Sequence, residues 1–170
     1  MIQNLIRHSK ENIMISNKGK ISNTTLVGGG INSKSLRERC PVINFNWLGD
    51  ERGKLVVIEG GITIPFEIKR VFYIYDSDRD VIRGRHANKI SDFVLVNAAG
   101  ESKLRLTDGH EEIVTELNRP MMGVYIPPMI WKDMYDFSED SVLLVLASTH
   151  YDNSEYIRNY DEYIRLINSK

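Results

Sequence analysis

Apolar and polar positions change their rhythm twice along the chain. Between Pro41 and Ser148, short runs rich in β-branched and aromatic residues recur at close spacing, broken by Gly, Asp and Ser. Runs of this kind read as strands, because branched and aromatic side chains suit a pleated surface while the breakers suit turns. Lys54–Glu59 and Ile68–Tyr75 stand out, bounded by Gly60-Gly61 and Asp76-Ser77-Asp78. Further strands are expected at Asp92–Ala98, Ser102–Thr107, Glu112–Leu117, Gly123–Ile126, Ile130–Phe137 and Val142–Ala147. Asp108-Gly109 falls between two of them and predicts a two-residue hairpin, since both residues tolerate positive φ. About eight short strands at this spacing predict an all-β barrel or sandwich rather than βαβ units.

After Ser148 the rhythm turns helical. Tyr156, Ile157, Tyr160, Tyr163, Ile164 and Ile167 make a stripe of helical period, with Arg158, Asn159, Asp161, Glu162 and Arg165 on the other side. Asp152 and Glu155 are spaced as a capping box at its start. The stripe predicts a C-terminal helix packed on the barrel. Before Pro41 the chain is polar and carries Gly28-Gly29-Gly30, which weakens any regular element. Ile15, Ile21 and Val27 recur every six residues. That spacing resembles the rungs of a left-handed β-helix, but so few rungs cannot bury a core without stacked neighbours. Residues 1–40 are therefore read as an N-terminal arm, packed on a partner subunit or left over from a hexapeptide-repeat domain. Residues 41–170 are read as the folded domain.

Composition works mainly by exclusion. The 170 residues hold 22 Lys plus Arg against 23 Asp plus Glu, a formal net charge of −1. A nucleic-acid binder needs a basic excess matched to phosphate, so that class is set aside. The longest apolar runs, such as Val142–Ala147, fall far short of the ~20 residues of a membrane-spanning helix. Met1 to Arg7 lack the long apolar stretch of a secretory leader, which predicts a cytoplasmic protein. Cys40 is the single cysteine, so no internal disulfide is possible and it reads as an inert thiol.

The densest polar cluster is Arg83-Gly84-Arg85-His86-Ala87-Asn88-Lys89. On an extended strand His86 and Asn88 share one face, with Arg85, Ala87 and Lys89 on the other. A histidine lining a barrel interior can act as acid and base near neutral pH. His8, His110 and His150 lie outside this cluster and read as surface residues, with a place at the helix entrance open to His150.

Long, ordered motifs carry a resemblance. They are Asp50-Glu51-Arg52-Gly53-x-Leu55, Ile64-Pro65-Phe66-x-Ile68-Lys69-Arg70-Val71-x-Tyr73-Ile74 and Arg83-Gly84-x-His86-Ala87-x-Lys89. They continue as Gly123-x-Tyr125-Ile126-x-Pro128-x-x-Trp131-x-x-Met134-x-Asp136-Phe137-Ser138, Ser141 to Ser148, Tyr151-Asp152 and Tyr156-Ile157-Arg158-x-Tyr160. From about Val42 to Ile164 the chain resembles the sugar nucleotide 3,4-ketoisomerases of the cupin superfamily. The resemblance implies a cupin-type antiparallel β-barrel or jelly roll with a C-terminal helix. It implies an isomerase that moves the carbonyl of dTDP-4-keto-6-deoxy-D-glucose from C4 to C3, without cofactor or metal, as a homodimer with exchanged strands.

The family's hallmark is a His-x-His pair, of which His86 keeps the first position while Asn88 stands at the second. Many cupin barrels hold a metal with Gly-x-His-x-His followed by a carboxylate and a further His. Here Asn88 and Lys132 fall where imidazoles would be wanted, and both are poor ligands. Shifting a ketone between adjacent carbons needs a base near neutral pKa, so the roles expected here are His86 as general base and acid, Asn88 as a hydrogen-bond donor to an enediolate oxygen, and Tyr73 as a second acid or else a core aromatic. Arg70 and Arg83, with Lys89 beside them, suit a diphosphate. Trp131 packs on thymine or sugar, or in the core.

Overall fold

In the computed structural model, residues 34–169 are described. The hexapeptide-like spacing at Ile15, Ile21 and Val27 lies outside them. Twelve strands form: β1 Val42–Asn44, β2 Trp47–Asp50, β3 Gly53–Val56, β4 Arg70–Tyr75, β5 Arg83–Asn88, β6 Phe93–Ala99, β7 Ser102–Thr107, β8 Glu112–Leu117, β9 Met122–Ile126, β10 Trp131–Tyr135, β11 Val142–Ala147 and β12 Tyr156–Ile157. Every strand pairing between them is antiparallel. One five-stranded sheet runs β1-β9-β6-β11-β4 and the other β12-β5-β10-β7-β8, with β2-β3 as a separate ribbon. This is the jelly-roll arrangement expected of a cupin.

Three apolar clusters show why the strands read as nearly continuous hydrophobic runs. Phe93 and Leu95 of β6, with Leu143, Val145 and Ala147 of β11, face Leu104, Leu106 and Met134 of the opposite sheet in the main core. The alternate residues Val94, Val96 and Leu146 face the other way, onto Phe45, Ile64 and Phe66. Both faces of β6 are thus covered, so period two leaves no polar residues to mark it. On the far side, Ala87, Trp131, Ile157 and Tyr163 join the second sheet to the C-terminal helix Tyr160–Asn168.

Four local readings are revised. A single helical turn, Leu36–Arg39, closes with a capping box between Ser35 and Glu38. It carries Leu36 and Cys40 into the main core, so residues read as the end of an arm pack as part of the barrel. The β7–β8 connection is four residues long, because Thr107 pairs with Glu112. Asp108 shapes it by accepting from the backbone N–H groups of His110 at 2.9 Å and Glu111 at 2.8 Å.

The helix also begins later than its stripe suggests. Asn159 caps it, its side chain accepting from the Glu162 N–H, while Tyr156 and Ile157 are a strand opposite Asn88 and Ala87. Asp152 caps a one-turn 3₁₀ helix instead. Glu155 turns inward, accepting from the Ser91 N–H at 3.1 Å and its hydroxyl at 2.5 Å.

Candidate active site

At one end the two sheets leave a cavity of about 350 Å³, walled by Tyr73, Arg83, His86, Phe93, Lys132 and Tyr156 among others. The β5 wall depends on a bulge. Lys132 pairs with His86 but Asp133 pairs with Gly84, which leaves Arg85 unopposed. Gly84 and Arg85 adopt φ of 83° and 52° to make the bend. Residues three apart on a regular strand face opposite sides. Here the extra residue lets Arg83 and His86 line the same cavity.

His86 is oriented from its own strand. Its Nδ1 lies 2.7 Å from the Gly84 carbonyl oxygen. A carbonyl only accepts, so the neutral ring carries its hydrogen on Nδ1 and keeps the lone pair on Nε2. The Tyr156 ring packs against it with centroids 4.9 Å apart. Burial, and then the charge of Lys132, push the imidazole down to about 4, against smaller upward pulls from the Gly84 carbonyl and Asn88. Near neutral pH His86 is therefore an uncharged base.

Asn88 sits deeper on the same face, 2% exposed. Its Oδ1 accepts from Lys132 Nζ at 2.6 Å, and its Nδ2 is buried with no partner among the described residues. Tyr73 stands at the rim, 61% exposed, with its ring 5.7 Å from that of Tyr75. Arg83 donates from Nε to the Ser77 hydroxyl at 2.8 Å. Arg70 lies over the rings of Phe72 and Tyr151, and its Nε and Nη2 are buried without partners among the described residues.

Of the expected site residues, His86, Tyr73 and Arg83 line the cavity, while Asn88, Arg70, Trp131 and Lys89 do not. Trp131 faces away from the cavity, because adjacent residues of β10 alternate and Lys132 takes the inward position. Its ring packs edge-on against Tyr160 at 4.9 Å and near Tyr163 at 5.5 Å, with Nε1 donating to Asp133 Oδ1 at 3.1 Å. Lys89 is exposed and donates to the Ser154 carbonyl at 2.9 Å, outside the cavity lining. Conversely, Lys132 and Tyr156 belong to the site although neither was singled out for it. The parity of Trp131-Lys132-Asp133-Met134 was the available signal for Lys132. Tyr156 was hidden by its fit to the helical stripe. Among the described residues, no three of His, Cys, Asp and Glu gather to hold a metal ion.

The family model FdtA, described as WxcM-like, C-terminal, matches residues 38–168. The chain belongs to this family. A relative from Aneurinibacillus thermoaerophilus, TDP-4-oxo-6-deoxy-alpha-D-glucose-3,4-oxoisomerase, is 45% identical over 126 residues, which cover 74% of this chain and 91% of the relative. Among solved structures, a histidine-to-asparagine mutant of the 3,4-ketoisomerase QdtA from Thermoanaerobacterium thermosaccharolyticum, in complex with TDP-4-keto-6-deoxyglucose, is 46% identical with a TM-score of 0.76, covering 78% of this chain and 96% of that one. WlaRA, a TDP-fucose-3,4-ketoisomerase from Campylobacter jejuni, is 41% identical with a TM-score of 0.73, covering 76% and 96%. No helix among the described residues is long and apolar enough to cross a membrane.

Proposed function

We propose that this FdtA-family chain is a 3,4-ketoisomerase acting on dTDP-4-keto-6-deoxy-D-glucose. The observation that carries the reading is His86, held neutral with a free Nε2 lone pair inside a cavity of sugar size. Moving a ketone between neighbouring carbons requires that a base take the proton from C3, that an enediol form, and that a proton return to C4. One imidazole suffices if both transfers occur on the same face of the ring, because the proton that His86 removes is the proton it returns.

The remaining polar groups suit the rest of the molecule. The unpartnered Nδ2 of Asn88 is a donor available to the enediolate oxygen. Tyr73 at the rim offers a second hydroxyl. The free donors of Arg70, with Arg83 at the cavity wall, fit a diphosphate. We place the working protein in the cytoplasm as a homodimer. β4 is an edge strand that exposes Val71, Tyr73 and Tyr75, and the β2–β3 ribbon exposes Trp47, Leu48 and Leu55, surfaces that a second copy would cover.

Asn88, at the position of the family's second histidine, favours two further readings: a sugar nucleotide isomerase or epimerase of altered substrate, and a cupin that binds nucleotide sugars without turnover. NMR of the protein with dTDP-4-keto-6-deoxyglucose in deuterated water separates them. A 3-keto product supports the ketoisomerase, and little solvent deuterium at its C4 supports transfer by a single imidazole. Exchange without that product supports the altered enzyme, and tight binding with neither product nor exchange leaves only the binding module.

A further inference from the structure

Lys132 is an unusual side chain for the interior of a β-sandwich. It is 4% exposed, and its backbone pairs directly with that of His86, so the two side chains enter the cavity next to each other. Its Nζ donates to Asn88 Oδ1 and lies 4.6 Å from the centre of the Phe93 ring. Among the described residues it forms no ion pair. Glu155, the carboxylate whose charge acts on it, has both oxygens engaged by Ser91. A buried ammonium without a counter-ion costs several kcal/mol of desolvation, so the position makes little sense as packing alone.

We propose that Lys132 is the second proton-transfer group of the site, carrying a proton between the two neighbouring oxygens of the sugar while His86 carries one between the two neighbouring carbons. The proposal rests on the ketoisomerase reading. In the first step His86 takes the C3 proton, the electrons of that bond form the C3–C4 double bond, and the Lys132 ammonium protonates O4. The products are an enediol, an imidazolium and a neutral amine. In the second step the amine takes the proton from O3, the C3 carbonyl forms, and the imidazolium delivers its proton to C4. Both residues return to their starting states and no co-reactant is consumed.

The surroundings keep both forms of the lysine accessible. Burial lowers it to about 7, helped by Arg70 on β4 and opposed by Glu155 in the turn before β12, while His86 on β5 faces it as an uncharged ring near neutral pH. Asn88 holds the amine in place through a neutral oxygen, which does not lock it in the charged form as a carboxylate would.

The test compares Lys132→Arg and Lys132→Met with the natural chain for turnover of dTDP-4-keto-6-deoxyglucose, and follows Lys132 Nζ by NMR titration of the unaltered protein. Arginine keeps the charge but cannot release its proton near neutrality. Both variants are expected to lose about 100-fold or more in turnover while TDP affinity stays within a few-fold, and Nζ is expected to titrate near 7. Should Lys132→Met fail to fold, Lys132→Arg and the titration decide. Near-normal turnover in Lys132→Arg, or an Nζ that titrates as a solvent-exposed lysine, overturns the proposal. A natural chain that forms no 3-keto product removes the ketoisomerase reading as well, whereas product formation that persists in Lys132→Arg removes only the role of Lys132.

Discussion

The ring of Tyr156 lies against the imidazole of His86, with centroids 4.9 Å apart, although the two residues are far apart in the chain, on β12 and β5. Tyr156 forms part of the cavity wall and shields the imidazole from water. Tyr156→Ala should therefore move the His86 titration upward from about 4 toward the ordinary histidine value. NMR of the histidine ring across pH 3–8 checks this; an unmoved midpoint would mean that Lys132, not burial by the tyrosine, controls the base.

His86→Asn removes the only imidazole that the described residues place in the cavity lining and leaves the strand and its bulge intact. Turnover should fall by about 10²–10⁴-fold or more, with TDP affinity preserved within a few-fold. Isothermal titration beside an assay of 3-keto product formation separates the two effects.

A buried lysine makes stability depend on pH in a defined direction. The unfolded chain holds the Lys132 proton up to about 10.5, whereas the folded chain releases it near 7. Across that interval the unfolded state binds more protons, so folding becomes more favourable as pH rises. His86 acts with the same sign between about 4 and 6.5. Thermal melts of Lys132→Met should show a flatter dependence on pH above 7 than those of the natural protein; parallel curves would exclude a depressed lysine.

Trp131 is placed to hold the C-terminal helix rather than the ligand. Truncation to Ala should cost about 3–5 kcal/mol of stability, and the milder Trp131→Phe should lower the melting temperature while KM stays nearly constant. A large rise in KM for Trp131→Phe would restore it to the binding surface.

Gly84 has φ of 83°, and a Cβ there would sit 2.6 Å from the Lys132 carbonyl oxygen. Gly84→Ala should strain the bulge by about 1–3 kcal/mol and turn Arg83 and His86 off their common face. Loss of activity exceeding the loss of stability, read from kinetics and melts on the same preparation, is the expected pattern.

Much of this architecture was legible in the sequence. Turn residues and β-branched runs located most of the strands of the two large sheets; of the pair His86 and Asn88, His86 lines the cavity, whereas Asn88 is buried against Lys132. Strands of three or four residues, such as β1 and β2, were not legible, since so short a run has no period to detect. Tyr156 and Ile157 satisfied a helical stripe equally well, and only their pairing with Asn88 and Ala87 made them a strand. Lys132 was passed over because its apolar surroundings come from residues distant in the chain, Phe93 among them. The common face of Arg83 and His86 depends on a bulge, which no strict alternation predicts.

β10 carries two interleaved sets of residues with separate duties. Lys132 and Met134 look toward the cavity, while Trp131 and Asp133 look toward the outer layer, where Asp133 also holds Arg105. Substitutions at the even positions can thus retune chemistry or sugar preference without loosening the helix, and changes at the odd positions can harden the scaffold without disturbing the reaction. Diversification and robustness can proceed independently along a single five-residue segment.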